Sequence, residues 1–144
     1  MSVRRPAIVV HDLDQAIGAL TAAAVAGVPV TLWSAPGAAS YTGLGFLGAV
    51  FEQAGEAVPE ADHDVVIDCR GSAVLAHEAL SRGFANVAFA GRGVMRKTLQ
   101  AIADEQSGRL ITAGPARGAL DLVHSADPER DSAAYLRKGR VRRS

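Results

Sequence analysis

The chain has 144 residues, of which 49% are hydrophobic and 21% charged, the composition of one globular domain with a substantial core. Its formal net charge of zero argues against a dedicated nucleic-acid binder with a strong positive field. The single cysteine, Cys69, excludes an intrachain disulfide and a cysteine-based zinc site. No apolar stretch approaches the ~20 residues of a membrane span, and the Ala7–Val10 run is too short for a signal peptide. We therefore expect a cytoplasmic protein that does not bind membranes.

Short apolar runs recur along the chain, each followed by polar residues and then by a segment with helical periodicity. The predicted strands are Ala7–Val10, Val28–Leu32, Asp64–Cys69, Asn86–Ala90 and Arg109–Ala113. Strands that alternate with helices favour a parallel sheet, whose carboxyl ends gather the polar residues on one edge.

Capping residues mark the intervening helices. Asp12 has the properties of an N-cap and Gly27 of a helix stop, and Ser72 caps a later helix that ends near Gly83. The other predicted helices cover residues 43–57, 94–105, 119–124 and 128–138, the last announced by Asp127-Pro128. The glycines within 43–57 indicate close packing, against the sheet or against a partner subunit.

These elements predict an α/β fold: a single-domain, open three-layer sandwich of about five mainly parallel strands with helices on both faces. We expect a flavodoxin-like (Rossmann-like) order, 2-1-3-4-5, over residues 1–126, followed by a C-terminal helix and basic tail over 127–144. That order places His11 and Asp12 beside Asp68 at the switch point. The alternative order, 3-2-1-4-5, places them beside Gly91–Gly93 instead.

Four residues at the ends of predicted strands are candidates for catalysis. His11 can exchange protons near neutral pH, and Asp12 and Asp68 can orient it or take part in acid–base chemistry. Cys69 precedes a helix N-terminus and adjoins Arg70, a setting that can lower the pKa of a thiol. Each residue also has an ordinary structural interpretation: Asp12 as a helix cap, and Cys69 as a core residue.

Candidate ligand-binding residues follow the same strands. Arg70 and Ser72 precede one helix and Gly91, Arg92 and Gly93 precede the next, so guanidinium groups and free backbone N–H groups are available to an anion. The loop after the second strand offers hydroxyl groups; its candidates are Ser34, Ser40 and Tyr41. The alternative is that the two arginines pair with local acids such as Asp68 and Glu78.

The sequence therefore favours binding of a small anionic ligand, one that carries phosphate or carboxylate, at the carboxyl edge of the sheet. A small-molecule metabolic enzyme that uses acid–base residues at the same edge is the first alternative. A non-catalytic, oligomerising interaction domain is the second, and we expect a homo-oligomer, a dimer, through the apolar 43–57 helix. A nucleic acid or acidic partner is expected only at the basic tail over residues 137–143. No motif identifies a substrate, a cofactor or a metal site.

Overall fold

The computed structural model of the chain describes residues 5–112 and 114–143, with side chains as far as residue 139. Its strands are β1 (Ala7–Val10), β2 (Val30–Ser34), β3 (His63–Asp68), β4 (Asn86–Ala88), β5 (Arg109–Ile111) and β6 (Leu120–Asp121). Its helices are α1 (Leu13–Ala26), α2 (Ala39–Thr42), α3 (Leu44–Ala57), α4 (Ala73–Ser81), α5 (Gly93–Glu105) and α6 (Pro128–Arg143).

The strands form one open sheet in which every neighbouring pair is parallel, in the order β5-β4-β3-β2-β1-β6. The predicted α/β class, with a parallel sheet flanked by helices, is confirmed. The predicted strand order 2-1-3-4-5 is corrected because β2 lies between β1 and β3, and its alternative 3-2-1-4-5 is corrected because β4 pairs with β3 and not with β1. From β1 to β5 each strand lies beside the strand that precedes it in the chain. The last strand, β6, lies on the other side of β1.

The strand β6 replaces the short helix that we predicted over residues 119–124. Its residues pair with the free edge of β1, Leu120 with Ile8 and Asp121 with Val9. The amide of Leu122 continues this pairing and donates to the carbonyl of Val9 at 3.0 Å. The correction has a physical reason: backbone groups at this point bond to a strand that is distant in sequence rather than to their own helical turn.

The helix boundaries follow the local capping signals closely. The carboxylate of Asp12 accepts from the amide of Gln15 at 2.8 Å, and Gly27 ends α1 in the left-handed conformation at φ +66°. The hydroxyl of Ser72 accepts from the amide of Leu75 at 3.2 Å at the start of α4. These contacts satisfy donors that a helix terminus otherwise leaves unpaired.

Close packing within the chain accounts for a glycine of α3. A Cβ atom built on Gly48 lies 3.3 Å from the ring of Phe84, so a larger residue at this position forces that ring to move. The segment just before α3, which we predicted as a loop, forms the four-residue helix α2. The glycine pattern of α3 thus reflects contacts inside one molecule and does not require a partner subunit.

The two faces of the sheet are covered unequally. On one face Ile8, Leu32 and Ile67 belong to a large buried cluster that also contains the buried apolar residues of the five long helices. The opposite face carries a smaller cluster whose buried members are strand residues: Ala7, Val9, Trp33, Val66 and Ala88. Ala119, in the segment after β5, packs against this smaller cluster.

The C-terminal helix α6 is part of the main core. Its Leu136 is buried in the large cluster, and its first turn lies against α1, where a Cβ on Gly18 comes within 2.9 Å of Pro128 and Glu129. The predicted basic tail over residues 137–143 lies largely outside the part of the chain whose side chains the structure describes. Within the described residues, no helix is both long and apolar enough to cross a membrane.

Candidate functional site

The carboxyl edge of the sheet carries all the residues singled out from the sequence, but the strand order divides them. His11 and Asp12 follow β1, whereas Asp68 ends β3, and β2 separates them. Two strand spacings amount to about 10 Å. The predicted grouping of His11 and Asp12 beside Asp68 is therefore corrected.

A different acid lies beside His11. Its Nε2 atom is 2.7 Å from Oδ1 of Asp121, at the end of β6, and the same oxygen accepts from the amide of Val123 at 3.0 Å. A carboxylate in this position orients an imidazole ring through a hydrogen bond. Sequence reasoning missed Asp121 because we placed it in a helix, and the two-residue strand β6 carries no local signal of its pairing with β1.

Asp12 has a structural role in this geometry, since its carboxylate is the N-cap of α1. The neighbouring Gln15 is buried and joins three elements. Its Oε1 accepts from the amide of His11 at 2.8 Å, and its Nε2 donates to the carbonyl of Leu122 at 2.8 Å. Gln15 thus holds the ends of β1 and β6 together and positions the His11–Asp121 pair.

Asp68 and Ser34 form a buried polar junction between β2 and β3. The hydroxyl of Ser34 accepts from the amide of Asp68 at 2.9 Å, and the carboxylate of Asp68 accepts from the amide of Arg70 at 3.1 Å. Asp68 is only 4% exposed. Its carboxylate therefore shapes the turn after β3, and little of it is presented to solvent.

Cys69 lies in the large cluster on the helix-covered face and is 1% exposed. Burial, and secondly the negative charge of Asp68, raises the pKa of the Cys69 thiol to about 12. The thiolate is the nucleophilic form, and this environment keeps the thiol protonated at neutral pH. The geometry thus favours the structural interpretation of Cys69 over the nucleophilic one.

Arg70 and Arg92 follow adjacent strands, and their loops are joined. The amide of Ala90 donates to the carbonyl of Arg70 at 2.7 Å, beside the β3–β4 pairing. Both arginines are exposed. The ion pairs among the described side chains are Arg5–Asp62, His11–Asp121 and Arg82–Glu78, so the predicted pairing of these two arginines with local acids is not found there.

The helix N-termini beside these arginines differ. Ser72 caps α4, whereas α5 follows Arg92 without a side-chain cap; neither helix has an acidic residue in its first turn. The guanidinium of Arg96 turns back to donate to the carbonyl of Phe89 at 3.1 Å, which adds positive charge near the same loop. Gly91, Arg92 and Gly93 thus lead into a helix N-terminus with unpaired backbone donors.

The hydroxyl residues after β2 lie on α2 or beside it. The hydroxyl of Ser40 donates to the carbonyl of Gly37 at 2.7 Å, and Tyr41 is 74% exposed. The amide of Gly37 donates to the carbonyl of Asp68 at 3.1 Å, so this segment crosses the end of β3. The hydroxyl of Ser40 therefore bonds within its own turn, and Tyr41 presents its ring to solvent.

Two cavities, of about 500 Å³ and 550 Å³, are lined by none of the candidates from the sequence, and the larger one reaches Thr112 and Gly114, just past the carboxyl end of β5. Both include Arg5 and Ala7; the larger extends over the less covered sheet face to Trp33 and Arg109. The sequence signal was the alternation within the strands, where Thr31 and Trp33 point away from Leu32. In the part of the chain that the structure describes, no three histidine, cysteine or acidic residues gather as metal ligands.

No family model matches this chain, and no curated protein matches it by sequence.

Proposed function

We propose that the protein binds a small anionic molecule, carrying phosphate or carboxylate, at the carboxyl ends of β3 and β4. The observation that carries the proposal is the pair Arg70 and Arg92. They are exposed on loops joined by a hydrogen bond, and neither has a carboxylate partner among the described residues. Two guanidinium groups on adjacent loops can bind phosphate or carboxylate oxygens in bidentate fashion.

The electrostatics of α5 support the same location. Arg92, Arg96 and Lys97 place positive charge at the N-terminus of a helix, where the helix dipole is also positive. Each positive charge in this position destabilises the helix by about 0.3–1 kcal/mol. A bound anion is attracted to the positive end of the helix dipole and therefore stabilises the helix. The uncapped amides of the first turn add neutral donors for the same ligand.

The test is the melting temperature of the protein in phosphate, sulfate and acetate, with sodium chloride at matched ionic strength as the reference. For a dissociation constant of about 1 mM, about 10 mM phosphate stabilises the folded state by about 1.4 kcal/mol. This corresponds to about 3–6 °C for a domain of this size. The double variant Arg70→Ala/Arg92→Ala is expected to lose this shift.

A matched double variant, Arg82→Ala/Arg130→Ala, removes the same charge elsewhere. Arg82 follows the last turn of α4 and pairs with Glu78, and Arg130 is exposed on α6. This control is expected to keep the full response to phosphate. An equal response in both double variants contradicts the proposal, because the stabilisation is then a general effect of anions.

The His11–Asp121 pair favours acid–base chemistry as a second function, but at a separate place. Three strand spacings, about 14 Å, separate β1 from β4, so a small anion at Arg92 does not reach the His11 ring. We therefore propose binding, rather than catalysis on that same anion, as the function of the Arg70–Arg92 site. Titration of the His11 ring protons by NMR tests this separation: phosphate is expected to leave their chemical shifts unchanged.

We also propose that α2 and α3 form the contact of a homodimer. The supporting observation is that Tyr41 and Phe46 are 74% and 56% exposed on consecutive helices. Two-fold contacts commonly bury such aromatic residues. Sedimentation velocity is expected to show a dimer that Phe46→Glu converts to a monomer; a monomeric wild-type protein at micromolar concentration contradicts this proposal.

A further inference from the structure

The less covered face of the sheet holds a cavity of about 550 Å³ that the proposed anion site does not use. Parallel sheets normally have both faces covered, so an open region on such a face is unusual. Volumes of ~300–1,000 Å³ are typical of sites for small molecules. The size and position of this cavity are therefore those of a ligand site.

The inner wall of the cavity is apolar. Trp33, Val66 and Ile111 come from β2, β3 and β5 and lie on the same side of the sheet, together with Ala7 of β1. Ile111 is only partly buried and Trp33 is 6% exposed, so Ile111 and the exposed part of the indole ring provide the apolar surface of the cavity.

The outer part of the cavity is polar and has a positive balance. Its charged residues are Arg5, Asp64 and Arg109. Asp64 accepts a hydrogen bond from the hydroxyl of Thr31, and Arg5 forms an exposed ion pair with Asp62 at 3.3 Å. Arg109 has no carboxylate partner among the side chains that the structure describes. Among the described side chains of the cavity, the guanidinium group of Arg109 is thus available to pair with an anion.

A small molecule fits this face better than a protein partner does. Trp33, Val66 and Ala88 are already at least nine-tenths buried within the single chain, so this face lacks the broad exposed apolar area of a protein interface, whereas a small molecule needs only the surface inside the cavity. The large apolar side chains that are exposed in the described part of the chain lie elsewhere: Val25, Tyr41, Phe46, Val74, Val94, Met95 and Val123.

We infer that this cavity binds a small, flat organic anion, an aromatic or cyclic molecule with a carboxylate, sulfonate or phosphate group. The ring lies against Ile111 and the exposed part of Trp33, and the anionic group pairs with Arg109, with Arg5 nearby. This inference is independent of the anion site at Arg70 and Arg92, which lies at the carboxyl edge of the sheet.

Trp33 makes the inference directly measurable, because it is the sole tryptophan of the chain. The probe is anilinonaphthalenesulfonate, an aromatic sulfonate whose emission rises in apolar surroundings and which accepts excitation energy from tryptophan. Titration of the folded protein is expected to give saturable energy transfer from Trp33 with one dye bound for each chain. A normal near-ultraviolet circular dichroism spectrum shows that the dye is binding to folded protein.

Two variants locate the probe. Arg109 is exposed, and Arg109→Glu reverses the charge at this position of the cavity. The dye is therefore expected to bind at least about tenfold more weakly. Ala7→Leu narrows the cavity and is expected to weaken binding as well. The matched control Arg130→Glu makes the same charge change on α6 and is expected to bind the dye normally.

The outcomes also separate this site from the proposed function. If Arg70→Ala/Arg92→Ala abolishes energy transfer while Arg109→Glu does not, the dye occupies the carboxyl edge and the inference is wrong. Non-saturable energy transfer, or unchanged affinity in Arg109→Glu, overturns it too. A dimer that dissociates in Arg109→Glu shows that a second copy covers this face, which also overturns it. Failure of phosphate binding at Arg70 and Arg92 leaves this test unaffected.

Discussion

On one face of the sheet Leu32 and Ile67 are completely buried beneath helices, whereas on the other face Thr31 and Asp64 line an open cavity. These residues alternate along the same two strands, β2 and β3, so the difference arises from the pleat and from the position of the helices. The helix-covered face provides most of the apolar burial. The other face accommodates charged side chains such as Asp64 and Arg109, because solvent reaches them.

The largest expected effect compares two isoleucines, one on each face. Ile67→Ala, on the helix-covered face, is expected to lower the free energy of unfolding by about 3 kcal/mol, because it removes a fully buried side chain. Ile111→Ala, on the open face, is expected to cost about 1 kcal/mol, because Ile111 is only partly buried. Urea denaturation measures both losses. Equal losses contradict the distinction between the faces.

A smaller effect is expected from the pH dependence of stability at Cys69. The thiol has a pKa of about 12 in the folded protein and an ordinary value of 9.0. The unfolded chain therefore loses this proton first, and the associated stability is complete below pH 9.0 and declines as the pH rises toward about 12.

Cys69→Ala lacks this titration and provides the comparison. Between about pH 8 and about pH 10, the wild-type protein is expected to lose more stability than the variant, by a difference on the order of 1 kcal/mol. Urea denaturation at the two pH values measures the difference. Parallel losses in the two proteins show that the Cys69 thiol is not buried from solvent as the structure places it.

The smallest expected effect concerns Asp12, at the carboxyl edge of the sheet. Asp12→Ala removes the N-cap of α1 and is expected to cost about 1 kcal/mol. Asp12→Ser keeps a capping oxygen and is expected to recover most of that loss in thermal denaturation. A serine variant as unstable as the alanine variant indicates that the carboxylate acts through its charge, and not as a cap.

Most of the longer elements could be predicted from the sequence because their signals are local, whereas α2 and β6 were not predicted. Asp12, Gly27 and Ser72 act within a few residues of themselves, and the predicted bounds of β1 and of α3 agree with the structure to within a residue. Candidate residues at the ends of strands were found for the same reason. A short apolar run followed by polar residues marks a strand end whatever its neighbours are.

The order of the strands, and with it the composition of each site, was decided by the tertiary structure. β6 has two residues and no local signal; it exists because its backbone pairs with β1. That pairing brings Asp121 to His11 across 110 positions and leaves Asp68 apart from both. Helical packing on one face then leaves a cavity over the other. Long-range pairing depends on the whole chain, so local sequence patterns determine most of the elements of this protein but neither the strand β6 nor which elements meet.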